Sequence, residues 1–109
     1  MRGGDLRRVI VIQSLVERQD ASGQATSEWV DSFTTRAAVA PVVASERFAA
    51  EQPLAEETSK FRIRWRGHGW RPSPKSNRIK YQGRAWDISG VAELGAADGW
   101  ELTAFAGVT

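Results

Sequence analysis

The stretch that most constrains the fold runs from Arg78 to Ile88, Arg-Ile-Lys-Tyr-Gln-Gly-Arg-Ala-Trp-Asp-Ile. Apolar and polar residues alternate on both sides of Gln82-Gly83, the pattern of a β-hairpin whose glycine supplies the positive φ of a tight turn. A two-residue loop sets Tyr81 opposite Arg84, Ile79 opposite Trp86 and Arg78 opposite Asp87. Gln is a mediocre first residue for a type I′ turn, so a loop of three or four residues stays open as an alternative. Side chains alternate across a strand, so the two-residue register groups Ile79, Tyr81, Trp86 and Ile88 on one face. Arg78, Lys80, Ala85 and Asp87 fall on the other. The first face belongs in a core and the second in water.

The rest of the chain reads in the same period. Arg7 to Val16 is a strand whose centre, Val9-Ile10-Val11-Ile12, is apolar on both faces. Such a strand is covered on both sides, by its own domain or by a neighbouring subunit. Asp20, Ser22 and Gly23 are a turn composition and close a first hairpin. Ser27 to Val43 follows as a long strand, with Trp29, Phe33, Thr35, Ala37 and Val39 on its odd face; Pro41 cannot donate a ladder hydrogen bond, so the strand ends or reaches a sheet edge there. A short helix is expected around 45–52, with Ser45 as N-cap, Phe48 as its packing residue and Pro53 as its stop. Leu54 to Arg66 returns to strand spacing, with Phe61, Ile63 and Trp65 pointing in and Lys60, Arg62, Arg64 and Arg66 pointing out. A long loop spans 67–77 and is rich in Gly, Pro and Ser. Val91 to Gly99 reads as a small-residue turn region, and Trp100 to Ala106 as the last strand. About six strands, one short helix and regular turn signals make a small antiparallel β-barrel the expected architecture, a single domain over 1–109, with a sandwich as the other arrangement.

Composition narrows the chemistry. The 109 residues are 41% hydrophobic with five Trp and four Phe, which suits a folded domain with a real core. Cysteine is absent, so no disulfide, thiolate metal site or cysteine nucleophile is available. The apolar run from Val9 to Ile12 is far shorter than a signal-peptide core or a membrane span, so the expectation is a soluble protein with no membrane association. The one histidine, His68, lies between two glycines with no carboxylate beside it in sequence, and exposure on the loop accounts for it better than a triad or a metal site. No glycine-rich phosphate loop, metal-ligand spacing or nucleophile elbow is present. A protein without catalytic residues, cofactor or metal follows as the expectation.

Charge is unevenly placed although the net charge is only +2. Nine of the fifteen basic residues fall between Lys60 and Trp86, where there is no Asp or Glu. Lys60, Arg62, Arg64 and Arg66, with Arg78 and Lys80 taken on a neighbouring strand, would form one basic plate that faces a subunit or DNA. By parity Trp65, Tyr81 and Trp86 point inward, so only Trp70 on the loop is left to stack or to anchor a partner.

Taken in order, the residues resemble the tailed-phage head-tail joining family, also called head-closure or stopper proteins. The resemblance is carried by Leu6-Arg7 and Ile12-Gln13; by Asp20 and Gly23 before Trp29; and by Ala37-x-Val39-x-Pro41. It continues through Ser45-Glu46-Arg47-Phe48-Ala49-Ala50, Glu57-Thr58 and Ile63-Arg64-Trp65-Arg66. The last part is Arg78-Ile79-x-Tyr81-x-Gly83-Arg84-x-Trp86-x-Ile88. It covers nearly the whole chain and implies a small β-barrel that assembles with copies of itself, in six or twelve, into a ring between portal-adaptor complex and tail. The ring would help retain packaged double-stranded DNA in its lumen. The implied setting is the bacterial host cytoplasm during assembly and then the head-tail junction of the virion, with a monomer compatible with the isolated chain. Val9, Val11, Phe48 and Trp70 are the expected ring-interface residues. The competing reading, from another class, is a stand-alone β-barrel that binds nucleic acid through its basic face.

Overall fold

In the computed structural model, which describes residues 6–42, 56–64, 70–96 and 98–107, six strands follow in chain order. They are β1 Arg8–Gln19, β2 Ala25–Pro41, β3 Glu56–Arg64, β4 Asn77–Tyr81, β5 Arg84–Leu94 and β6 Gly99–Gly107. All pairings are antiparallel, and the order β1-β2-β3-β6-β5-β4 closes into a barrel when β4 pairs with β1. The expected helix at 45–52 with Phe48, and Trp65, Arg66 and His68, lie outside the described residues.

The β4–β5 hairpin takes the two-residue register, with Tyr81 opposite Arg84, Ile79 opposite Trp86 and Arg78 opposite Asp87. Gln82 and Gly83 both have positive φ, 53° and 73°, which defines a type I′ turn and excludes the longer loops. The turn twists in the same sense as the strands it joins, so the inward set stays together: Ile79, Trp86 and Ile88 are buried and Tyr81 half-buried. The Trp86 indole N–H donates to the Tyr81 carbonyl at 3.2 Å, which satisfies the one polar atom of the buried ring.

Around this pair the barrel interior fills with Ile10, Ile12, Phe61, Ile63, Leu102 and smaller residues such as Ala37 and Ala104. Phe61 meets Trp86 and Tyr81 edge-to-face, at ring separations of 5.4 and 5.7 Å. Each such pair contributes roughly 0.5–1.5 kcal/mol beyond its buried area.

Two bulges depart from simple alternation. Ile12 pairs with Phe33 but Gln13 pairs with Asp31, so Ser32 is an extra residue in β2. Phe33, Ala37 and Val39 turn to the core as expected, while Trp29, placed with them by parity, is carried to the outer surface by the one-residue shift. The second bulge falls between Ile88 and Gly90 and lets β5 continue along β6 to Leu94. The turn expected over Val91–Gly99 is therefore confined to its second half, where Gly95 has φ 57° and the Asp98 N–H donates to the Leu94 carbonyl at 3.1 Å. Small residues such as Ala92 suit a turn, but backbone pairing with β6 holds Val91 to Leu94 extended.

The β1–β2 hairpin outruns the barrel. β4 pairs only with Val11 to Ser14, and among the described residues the distal part of the ribbon, from Val16 to Glu28, pairs only with itself. Its turn is held by Asp20, whose Oδ1 accepts from the Ser22 hydroxyl at 2.7 Å and from the Ser22 and Gln24 amides at 2.9 Å each. The Ser22 hydroxyl first, then the amides, hold the Asp20 carboxyl below its ordinary value. This contribution is therefore present above the ordinary carboxylate pKa and lost as pH falls through the lowered one.

Gln82 occupies a left-handed conformation that Asn adopts more readily. Gln82→Asn should raise stability by roughly 0.5–1 kcal/mol, seen as a higher urea midpoint with an unchanged slope. An unchanged or lower midpoint would contradict the type I′ turn.

Candidate assembly surfaces

The basic residues of β3 and β4 stand outside the barrel, because the residues between them fill its interior. Lys60, Arg62 and Arg64 are exposed and alternate with buried Phe61 and Ile63; Lys80 is exposed and Arg78 half-buried. They do not form one plate. β3 is flanked by β2 and β6, and β4 by β5 and β1, so the two strands lie three steps apart in a closed ring of six, on opposite sides. The expectation of a shared basic face is corrected: β3 and β4 are not neighbours in the sheet. Arg62 is moreover paired with Glu101 of β6, Nε to Oε2 at 2.9 Å. With Arg62 largely exposed, such a pair is worth about 0.2–1 kcal/mol.

Arg78 belongs to a polar cluster that spans three strands. Its Nε donates to Gln13 Oε1 at 2.7 Å, and Gln13 Nε2 donates to Asp31 Oδ1 at 2.8 Å. The guanidinium also lies 4.6 Å from the centre of the Trp29 ring. The bulge at Ser32 makes this possible, because it brings Trp29 and Asp31 to the same side as Gln13 and Arg78. Just inside, the buried Asn77 donates through Nδ2 to the Gln13 carbonyl and Ser14 Oγ, both at 3.2 Å, and accepts from the Ser73 amide at 3.1 Å. Sequence reading missed Gln13, Asp31 and Asn77 altogether. Continued unbroken from the Asp20–Gln24 turn, the hairpin register pairs Phe33 with Val11, where the structure pairs it with Ile12; because both faces of β1 read apolar, the sequence carries no signal of the bulge.

Trp70, expected to stand out on the loop as a partner anchor, is instead half-buried against the barrel end. It meets Phe33 edge-on at 5.1 Å and Trp100 at 6.4 Å. Burial of its large ring area outweighs exposure on the loop. The segment after it is tied down as well, since Ser76 accepts from the Leu15 amide at 2.9 Å. The described part of the 67–77 loop therefore closes one end of the barrel.

The interface expectation is placed differently at Val9 and Val11. Both point away from the core; Val9 is 59% exposed and Val11 is half-buried. No described element of the chain covers Val9, which leaves a neighbour as the alternative for the strand that reads apolar on both faces.

At the barrel end opposite Trp70, an open cleft of about 410 Å³ is lined by Arg8, Val39, Glu57, Ser59, Tyr81 and Trp86, among others. Arg84 crosses its rim, 2.9 Å from Glu57 Oε2 and 4.8 Å from the Trp86 ring centre. Among the described residues no group of three or more His, Cys, Asp or Glu is gathered to hold a metal.

A family model for phage head completion proteins matches residues 1–106. The chain is 30% identical to head completion protein gp16 of Bacillus phage SPP1, over 91% of this chain and 94% of that protein. Among solved structures it resembles protein SF1141 of Shigella flexneri 2a, with TM-score 0.73 and 28% identity over 98% of this chain and 97% of that one. A chain of the native gene transfer agent virion shares the fold, with TM-score 0.68 and 23% identity over 95% and 97%.

If the Arg78 guanidinium binds the Trp29 ring, a double-mutant cycle of Trp29→Ala and Arg78→Ala should show a coupling of about 0.5–1 kcal/mol in denaturant unfolding. Additive losses would contradict the outward placement of Trp29.

Proposed function

The chain belongs to the phage head completion protein family, and from that premise we propose that it is a non-catalytic subunit of the head-tail connector. Copies of the barrel associate into a head-closure ring that helps retain packaged double-stranded DNA and presents a docking surface to the tail. Assembly takes place in the host cytoplasm and ends at the virion's head-tail junction, with portal-adaptor and tail proteins as neighbours. The observation that carries the reading is similarity along nearly the whole chain to a phage head completion protein.

The physical features agree with it. An exposed valine on a strand whose other face is core suits contact with another subunit. The separation of the β3 and β4 cations to opposite sides favours a subunit with several neighbours over a stand-alone nucleic-acid binder, which needs its cations on one face to follow a phosphate backbone.

Deleting the gene from the genome that encodes it should yield heads that fill with DNA, lose it and carry no tails, with the wild-type protein restoring infectivity in trans. Tailed, DNA-retaining particles from the deletion would contradict the proposal. The Arg62→Glu/Arg64→Glu protein should fold, since both side chains are exposed, yet fail to restore infectivity; normal titres would remove the β3 cations from the function.

A further inference from the structure

We propose that neighbouring copies meet head to tail, the outer face of the β1–β2 pair of one copy resting on the outer face of the β5–β6 pair of the next. This rests on the connector reading above and names the partner surface within it.

The first face is apolar with a basic margin. Val9 lies beside Arg36 and Val11 beside Thr34, all on the outside of the barrel, and Arg36 and Thr34 are exposed. From Leu6 to Val16 the sequence holds no Asp or Glu. The second face is acidic. From Ala85 to the end of the sequence there is no Lys or Arg; the acids on the outer side of the pair are Asp87 and Glu101, the latter bonded to Arg62, while Glu93 lies opposite the inward Trp100. Asp87 and Ser89 are exposed on β5, and Asp87 lies beside the half-buried, outward Phe105 of β6. An aromatic ring next to a carboxylate is a fitting counterpart to valines next to a guanidinium.

Topology then sets the mode of association. In the order β1-β2-β3-β6-β5-β4, the β1–β2 seam and the β6–β5 seam are on opposite sides of the barrel. Two unlike, complementary faces pointing in opposite directions favour a heterologous contact, which closes into a ring when the rotation per copy allows. Faces nearly opposite one another leave only a small turn per copy, so the ring is wide. An isologous pair centred on Val9 would instead place Arg36 near Arg36, like charge against like.

The absence of native cysteine makes the test clean. Val9→Cys and Ser89→Cys, both at exposed positions, are introduced singly and together, and particles produced from the encoding genome are treated with a short bis-maleimide. The double variant should give a ladder of chain multiples, and each single variant none. Dimers from Val9→Cys alone, attachment of that variant to DNA or to another virion protein, or no ladder in particles that contain the chain would each overturn the contact. Absence of the wild-type chain from the particles would instead count against the connector reading. In a second arm, Arg36→Glu and Asp87→Arg should each lower incorporation roughly tenfold or more, and their combination should restore it. Additive loss in the combination would overturn the proposal.

Discussion

Closure of the sheet is the constraint on which the rest depends. β1 comes from the start of the chain and β4 from its last third, and four residue pairs, Val11–Lys80 to Ser14–Asn77, join them. Without that seam the six strands form an open sheet with two exposed edges and no enclosed space for Phe61, Trp86, Trp100 and Leu102. The seam is backed by more than backbone pairing: Asn77 bonds Gln13 and Ser14 across it, and Gln13 bonds Arg78. Buried or half-buried polar groups in a seam favour one register over its neighbours, because a slip leaves several of them unsatisfied at once.

The same place links fold to function. The bulge at Ser32 sits across from Gln13, beside the seam, and reverses which β2 residues face outward beyond it. On the core side of the bulge, β2 gives Phe33 and Ala37 to the interior. On the far side it gives Trp29 and Asp31 to the surface, where Arg78 and Gln13 hold them. The ribbon is thus braced at its root by three strands and leaves the barrel as a two-stranded arm, a kind of element that is marginal by itself.

Sequence reading recovered what short-range periodicity determines. The β4–β5 register followed from alternation about Gln82-Gly83, and the exposure of Lys60, Arg62 and Arg64 followed from that of their buried neighbours. What it lost depends on long-range pairing. Nearness in sequence predicts β3 beside β4, whereas β3 pairs with β6, the last strand. Trp29 was misplaced because one inserted residue reverses parity beyond it, and Trp70 because loop composition does not show which ring folds back. The apolar outer face of β1 is legible as a strand covered on both sides, and the structure exposes Val9 most on that face, with Leu15 less so. Val9 draws the fold towards assembly, since the described chain offers it no cover.

Cross-strand nuclear Overhauser effects test barrel closure most directly. Backbone contacts between Val11–Ser14 and Asn77–Lys80, at the same strength as those between β4 and β5, are the expected result. A spectrum with the β1–β2 and β4–β5 contacts intact and none across the β1–β4 seam would describe an open sheet and contradict the account.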